Sequence, residues 1–244
     1  MGKKLAFCIL HYGKPYLKAA LEAIVPQVDK VVILYTDTPS QGYTTDMTCP
    51  DTRDDLKNIA DKFKVAWVDG HWENEGLHCD AIKAYSQDYQ WLVRFDADEI
   101  YPEGMVNHYI KIAEKSKFKM YRMPFKHFWR SFDRVCYDGQ YPFRLERLDG
   151  GEGYDWLPCE NDEQKICHMG YAMPTKYIEY KMQVQAHRAE WRPDWFENIW
   201  LKNGQDNVHP VAYVVPLWQP EDYDKTKLPK VLRDHEYFNM DIIK

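Results

Sequence analysis

The sequence predicts an α/β fold, a mostly parallel sheet flanked by helices, and three features carry that prediction. Over the first hundred residues, short apolar runs alternate with segments whose apolar residues recur every three to four positions, as strands and covering helices do. Beyond about residue 118 the pattern becomes the every-second-residue alternation of extended strands. From Tyr171 onward the chain is rich in Trp, Tyr and Pro and weakly periodic, which reads as an aromatic-rich C-terminal extension. The 244 residues fit one large domain. Residues 1–118 and 119–244 read as two halves of one continuous domain, since no repeat or low-complexity linker separates them.

Leu5 to Leu10 is an unbroken apolar run of strand length, a buried first strand. Pro15 suits the first turn of the next helix, Leu17, Ala20, Leu21 and Ile24 share one helical face, and Pro26 closes the segment. Lys30 to Tyr35 (KVVILY) is the second strand, ending in Thr36-Asp37-Thr38-Pro39. Leu56, Ile59, Ala60 and Phe63 mark a second helix, opened by Thr52 and Asp55 at the spacing of a capping box. Lys64 to Val68 is the third strand. Asn74 caps a third helix with Leu77, Ala81, Ala84 and Tyr85 inward, leading to a fourth strand at Trp91 to Phe95. That strand ends in Asp96-Ala97-Asp98-Glu99, after which Pro102 opens a helix with Val106, Tyr109, Ile110 and Ala113 inward. Tyr121, Met123 and Phe125 then alternate with Arg122, Pro124 and Lys126, and Pro142 to Leu148 is also extended.

Composition narrows the possible functions. The formal net charge of −6 argues against a protein that binds mainly the phosphate backbone of nucleic acid. With 45% hydrophobic residues and well-mixed charges, global disorder is excluded. No run approaches the roughly 20 apolar residues of a membrane-spanning helix, and the apolar N-terminal run after Lys3 and Lys4 reads as a strand, not a secretory signal. Six cysteines with no Cys-x-x-Cys pair match neither a zinc site nor a disulfide scaffold, so a reduced, cytoplasmic protein is expected.

Three carboxylates within four residues, Asp96, Asp98 and Glu99, follow the fourth strand, and ligands bind at the carboxyl ends of strands in open parallel sheets. Residues 96 and 98 of a strand point to one side, where two carboxylates repel unless a cation joins them. Oxygen ligands of this kind suit Mg²⁺ or Mn²⁺. A bare Asp-x-Asp reads equally well as an acidic turn before the Pro102 helix; the place at a strand end favours the metal.

Several segments together resemble the family 2-like nucleotide-sugar glycosyltransferases with the GT-A, Rossmann-like fold. Trp91 to Tyr101 (WLVRFDADEIY) is similar to that family's strand ending in a metal-binding Asp-x-Asp. Ile9 to Tyr12 (ILHY) with the helix to Pro26 and Gln27 is similar to its opening, whose loop cradles the nucleotide. Arg144 to Leu148 (RLERL), Tyr154 to Trp156 (YDW), Cys159-Glu160 and Ile166 to Tyr171 (ICHMGY) are similar to its second half in order and spacing. The resemblance implies a nucleotide-sugar-binding first half, an acceptor-binding second half and an Mn²⁺ or Mg²⁺ cofactor. It implies that Asp98 ligates the metal directly, that Asp96 supports the metal or the ribose, and that His168 completes the metal site. Read alone, His168 is more simply a structural histidine. Tyr12, Asp37 and Asp69 fall at the ends of strands one to three, where a base and ribose would lie, and Lys181 is a candidate phosphate contact.

The implied reaction moves a sugar, a hexosyl or N-acetylhexosaminyl group, from a UDP-sugar to an acceptor hydroxyl with inversion. Such a step needs stabilisation of the departing diphosphate and one carboxylate as base. Glu160 matches the family's base position, with Asp155 and Asp162 as competitors. Ten Lys or Arg against four acids between residues 111 and 147 leave a local excess of positive charge that suits the diphosphate or an anionic acceptor, although a solvated face is the commoner meaning. His127, Phe128, Trp129, Trp191, Trp195, Trp200 and Trp218 suit stacking on sugars or bases but read first as core, and Pro193, Pro210, Pro216 and Pro220 suggest loops wrapping over the site. The acceptor is open: a glycan, a lipid-linked sugar, a protein or a modified nucleobase. Two other readings stand beside this one. A haloacid-dehalogenase-like phosphatase also places Asp-x-Asp after a strand; its usual Thr is absent, residue 100 being Ile. A non-catalytic carbohydrate- or nucleic-acid-binding module leaves the strand-end carboxylates unexplained.

Overall fold

A computed structural model describes residues 2–39, 43–137, 139, 141–185, 188–202, 208–211, 218–240 and 242. The first half runs β1 (Lys4–Leu10), α1 (Lys14–Ile24), β2 (Lys30–Tyr35), α2 (Arg53–Ala60), β3 (Val65–Asp69), α3 (Glu75–Asp80), β4 (Trp91–Arg94), β5 (Glu99–Ile100) and α4 (Met105–Ala113). The second runs β6 (Met120–Arg122), β7 (Phe125–Trp129), β8 (Arg134–Cys136), β9 (Phe143–Arg147), β10 (Tyr154–Trp156), β11 (Ile166–Tyr171), α5 (Thr175–Val184), β12 (Glu221–Asp222) and α6 (Lys230–Arg233).

A seven-stranded sheet has the order β10-β6-β9-β4-β1-β2-β3. The pairings β4-β1, β1-β2, β2-β3 and β10-β6 are parallel, and β9 lies antiparallel between β4 and β6. Alternation along β1 explains how both faces are covered. Ala6, Cys8 and Leu10 join Val31 and Ile33 in the large core under α1, while Leu5 and Phe7 join Val32 and Leu34 in a smaller cluster on the other face. The large cluster continues through both halves of the chain, from Ala6 to Ile242.

A single mostly parallel sheet is not the whole architecture, because a second sheet, β12-β8-β7-β11-β5, stands beside it. β5 is too short to read from sequence, yet it decides the geometry of the site. The chain leaves the first sheet at Arg94, turns through 95–98 and enters the second at Glu99, where β5 pairs antiparallel with β11, His168 opposite Glu99. The backbone N–H of Met169 donates to the Asp98 carbonyl at 2.8 Å.

Local signals mostly hold. Leu17, Ala20, Leu21 and Ile24 are fully buried, and Thr52 and Asp55 form the capping box. The N-terminus of α1 is closed from a distance by buried Asp51, whose Oδ2 accepts from the Gly13 and Lys14 N–H groups at 2.8 and 2.9 Å, satisfying donors that the helix itself cannot. The inward face of α3 needs correction. Asn74 caps it as expected, but Leu77 is 49% exposed, while His78 and Ile82 are buried. An imidazole is tolerated there because its Nε2–H donates to the Leu34 carbonyl at 2.8 Å and its ring stacks on Trp72.

Burial pushes His78 down to about 4. Between that value and the unfolded value near 6.5 the unfolded chain binds a proton that the folded chain does not, so stability falls by roughly 3 kcal/mol as pH drops across this window. His78→Gln is therefore expected to flatten the acid limb of a melting-temperature profile; an unchanged slope would show that the ring protonates without opposing the fold.

Lys126, read as outward, is buried with its Nζ on the Asp162 carboxylate at 2.7 Å and the Tyr223 hydroxyl at 2.8 Å. Trp129, Trp195, Trp200 and Trp218 are core residues. Of the described part of the C-terminal stretch, Tyr171 and α5 border the strand ends considered below, while β12 pairs with β8 and His235 Nε2–H donates to the Pro15 carbonyl. Pro216 and Asp138 lie outside the described residues. Among the described residues no helix is long and apolar enough to cross a membrane, and the six cysteines are free.

Candidate functional site

A cavity of about 550 Å³ opens at the carboxyl ends of β1 and β4. Its wall is built from His11, Tyr12 and Gly13 after β1, Arg94 at the end of β4 with Asp96, Ala97 and Asp98 after it, Arg122 of β6, Phe143 and Arg144 of β9, His168 and Tyr171 of β11, and Lys181 of α5. The loop after β1 packs directly on the Asp-Ala-Asp turn: Gly13 has φ 144°, and a Cβ there would meet the Ala97 Cβ at 2.5 Å. His11 steadies that loop, its Nδ1–H donating to the Thr36 carbonyl at 3.0 Å and its Nε2 accepting from the Tyr180 hydroxyl at 2.7 Å. Burial raises the Tyr12 phenol well above its usual value, so it lines the cavity as a neutral group.

Asp96 and Asp98 both line the cavity, but the backbone turns instead of continuing as a strand, and the two carboxylates take different partners. Asp98 faces β11 and α5, its Oδ2 3.7 Å from His168 Nε2 and 3.6 Å from Lys181 Nζ. Burial pushes its carboxyl above the usual range, with Lys181 pulling the other way. His168 is held neutral by burial, with the neighbouring His127 and Lys181 adding to the depression. Its Nδ1 lies 2.7 Å from the Nδ1 of His127, so one of the two carries the shared proton. With that proton on His168, the Nε2 lone pair is presented on the Asp98 side, the form a metal-binding imidazole takes. Gly170 makes the convergence possible: a Cβ there would come within 2.5 Å of His168 Nε2 and 2.7 Å of Lys181 Nζ.

Asp96 instead belongs to a line of alternating charges. Glu75 pairs with Arg94 at 2.6 Å, Arg94 faces Asp96 at 3.7 Å, Asp96 pairs with Arg144 at 2.7 Å, and Arg144 takes Glu99 through Nη2 at 2.5 Å and Nε at 2.8 Å. Burial opposes ionisation of Asp96, but Arg144 and Arg94 outweigh it and hold the carboxyl below its usual range. Glu99, 1% exposed, is pushed up to about 8 by burial against the pull of Arg144.

Among the described residues no three His, Cys, Asp or Glu side chains gather so as to hold an ion on their own. Asp98 and His168 would supply two ligands between them, and a Mg²⁺- or Mn²⁺-type ion would have to take its remaining oxygens from water and phosphate.

The other expected site residues lie apart from this wall. Asp37 is exposed at the end of β2. Asp69 is gripped by the Arg53 fork at 2.7 and 2.8 Å, which pulls it down to about 2. Glu160 is exposed, and Asp155 lies on β10 with its Oδ1 on the Trp156 N–H; neither lines the cavity. The loop carrying Glu160 is anchored elsewhere, by buried Leu157 and by Asp162, which Lys126 and the Tyr137 and Tyr223 hydroxyls hold. The basic run of residues 111–147 is dispersed rather than one patch: Arg122 and Arg144 reach the cavity, Lys126 is buried, and Arg147 caps the end of α4 on the Ala113 carbonyl. Sequence reasoning missed Glu75 and Arg94, and it read His127 only as an aromatic for stacking, not as the partner of His168. A single sequence carries no signal for them, because their partners come from other strands.

No protein-family model matches the chain, and no curated protein matches it. Solved structures do. Glucosyl-3-phosphoglycerate synthase from Mycobacterium tuberculosis, in complex with Mn²⁺, UDP and phosphoglyceric acid, is 12% identical over 53% of this chain and 44% of its own, with a TM-score of 0.38. A mannosyltransferase from Pyrobaculum calidifontis in complex with GDP-Man and Mn²⁺ is 13% identical over 51% and 36%, with a TM-score of 0.39. The 4-diphosphocytidyl-2C-methyl-D-erythritol synthase from Anaerococcus prevotii is 14% identical over 72% and 94%, with a TM-score of 0.42. The chain thus spans less than half the length of the first two.

Proposed function

We propose that the chain is a metal-dependent glycosyltransferase that moves a hexosyl or N-acetylhexosaminyl group from a UDP-sugar to an acceptor hydroxyl, with inversion. The observation that carries this reading is the approach of Asp98 Oδ2 and His168 Nε2 to 3.7 Å, from residues seventy apart in the chain, inside a cavity at the ends of parallel strands. Asp98 and His168 would hold Mn²⁺ or Mg²⁺. A bound ion supplies positive charge against the diphosphate as it departs. Lys181, beside Asp98, is placed to add a second cation to the same phosphates. Arg144 keeps Asp96 ionised and fixed as a hydrogen-bond acceptor at the cavity wall, a position suited to ribose hydroxyls. Inversion requires a carboxylate to take the acceptor proton. Glu160 holds that place in the sequence resemblance and is open to solvent, although it does not line the cavity. The phosphatase reading loses ground because Asp96, its nucleophile, is clamped by Arg144.

The test is a thermal-shift series with nucleotides and nucleotide sugars, with Mn²⁺ and with chelator. UDP plus Mn²⁺ at about 100 times its Kd is expected to raise the melting temperature by roughly 5–10 °C. A shift of equal size in chelator would end the metal reading. Gly170→Ala probes the same cradle: its methyl must displace His168 or Lys181, so the Mn²⁺ concentration giving half of the shift should rise about ten-fold.

A further inference from the structure

The wall of the cavity carries four Arg or Lys side chains, and three of them have a carboxylate: Arg94 has Glu75, Arg144 has Asp96 and Glu99, Lys181 has Asp98. Arg122 has none among the described residues. Its Nη1–H donates to the Tyr141 carbonyl at 2.7 Å, and its guanidinium carbon lies 4.1 Å from the centre of the Phe143 ring and 5.6 Å from those of Tyr154 and Trp156. A cation thus held by ring faces keeps its charge available to an arriving anion.

The rings around it are unusual for this protein. Trp156 is 52% and Tyr154 49% exposed, whereas Trp195, Trp200 and Trp218 are at most 1% exposed. Both lie on β10, two residues apart and therefore on one face, at the outer edge of the seven-stranded sheet. The register makes the patch continuous with the cavity. Trp156 is paired with Arg122 on β6, and Arg122 with Phe143 on β9, so the three form a row across adjacent strands. Arg122 and Phe143 line the cavity, and Trp156 ends the row in solvent.

We infer that this row is the acceptor subsite, and that it takes a saccharide bearing an acidic group, carboxylate or phosphate. The sugar ring stacks on Trp156 and Tyr154, the acid pairs with Arg122, and the neighbouring hydroxyl is delivered to the cavity. This assignment rests on the glycosyltransferase reading for the word acceptor. The binding itself does not depend on it. Aromatic faces also stack nucleobases, but the chain's net charge of −6 favours a small acidic sugar over a polyanion.

Calorimetric titration of the full chain with a glucuronate-terminated disaccharide, glucose 6-phosphate and neutral cellobiose tests the inference, with UDP and Mn²⁺ titrated in parallel. The acidic sugars are expected to bind about ten-fold more tightly than cellobiose, with Trp156→Ala and Arg122→Gln each costing about ten-fold. Trp156→Ala should leave the UDP affinity unchanged, which also shows that the variant is folded. Glucuronate and phosphate arms that differ identify which acid is preferred, and either preference supports the subsite. Cellobiose binding as well as the acidic sugars, Trp156→Ala binding them undiminished, or a short single-stranded oligonucleotide binding more tightly than either would overturn it. Acidic-sugar binding with this pattern but no UDP binding would leave the subsite standing while the donor assignment fails.

Discussion

Asp98→Asn is expected to erase the Mn²⁺-dependent part of the stabilisation by UDP, reducing a shift of roughly 5–10 °C to about 1 °C or less. The substitution preserves shape and removes the charge from the oxygen that faces both His168 and Lys181. One neutral imidazole is a poor site for a hard divalent ion, so metal affinity should fall about a hundred-fold or more. The fold should survive, because burial already opposes the Asp98 charge and its backbone bond to Met169 is untouched. Binding of UDP in chelator is the control and should match in the two proteins. A variant that keeps its full shift in Mn²⁺ would show that the ion, if it binds, sits elsewhere.

Arg144→Met should produce the largest loss of stability. Arg144 is 8% exposed and holds two carboxylates, one of which, Glu99, is 1% exposed. Removing one partner of a buried pair while leaving the other costs about 3–5 kcal/mol, or a melting temperature lower by about 10 °C for a chain of this size. The pH dependence identifies the cause. A carboxyl whose folded pKa is raised favours the fold at low pH and loses that contribution as pH rises toward the folded value. Glu99 already stands near 8 and rises further in the variant without the pull of Arg144, so the deficit should widen as pH is raised above about 8, where the wild-type carboxyl ionises and the variant's does not. Adding Glu99→Gln should abolish that widening above pH 8, because no carboxyl is left there to ionise. A fall of less than about 2 °C would mean that the network is solvated and slack.

The first half is the more legible because its signals are local. KVVILY is buried because it is flanked by strands on both sides, and the spacing of Leu17, Ala20, Leu21 and Ile24 records a single helix lying on the sheet. The α3 face is misread because hydrophobicity ranks Leu77 above His78, and only the Leu34 carbonyl, supplied by another strand, reverses that order. In the site, the position of Asp98 follows from strand, turn and carboxylate. The clamp on Asp96 does not, since Arg144 arrives from a strand forty-eight residues away. His168 is found only through resemblance, because the two-residue strand that places it opposite Glu99 has no length in which to show a period. Glu160, Asp37 and Asp69 show the limit of reasoning from strand ends: reaching the right edge of a sheet does not decide whether a side chain turns inward, and Arg53 is enough to draw Asp69 away.

The way the strands are shared between the sheets bears on how separable the two halves of the chain are. β9, from the second half of the sequence, is inserted between β4 and β6, while β5, from the first half, closes the edge of the second sheet. Neither half owns a finished sheet, and β4 without β9 would present a raw, sticky edge to other chains. A cut near residue 118 would therefore leave both sheets incomplete, so the two halves cannot be exchanged independently.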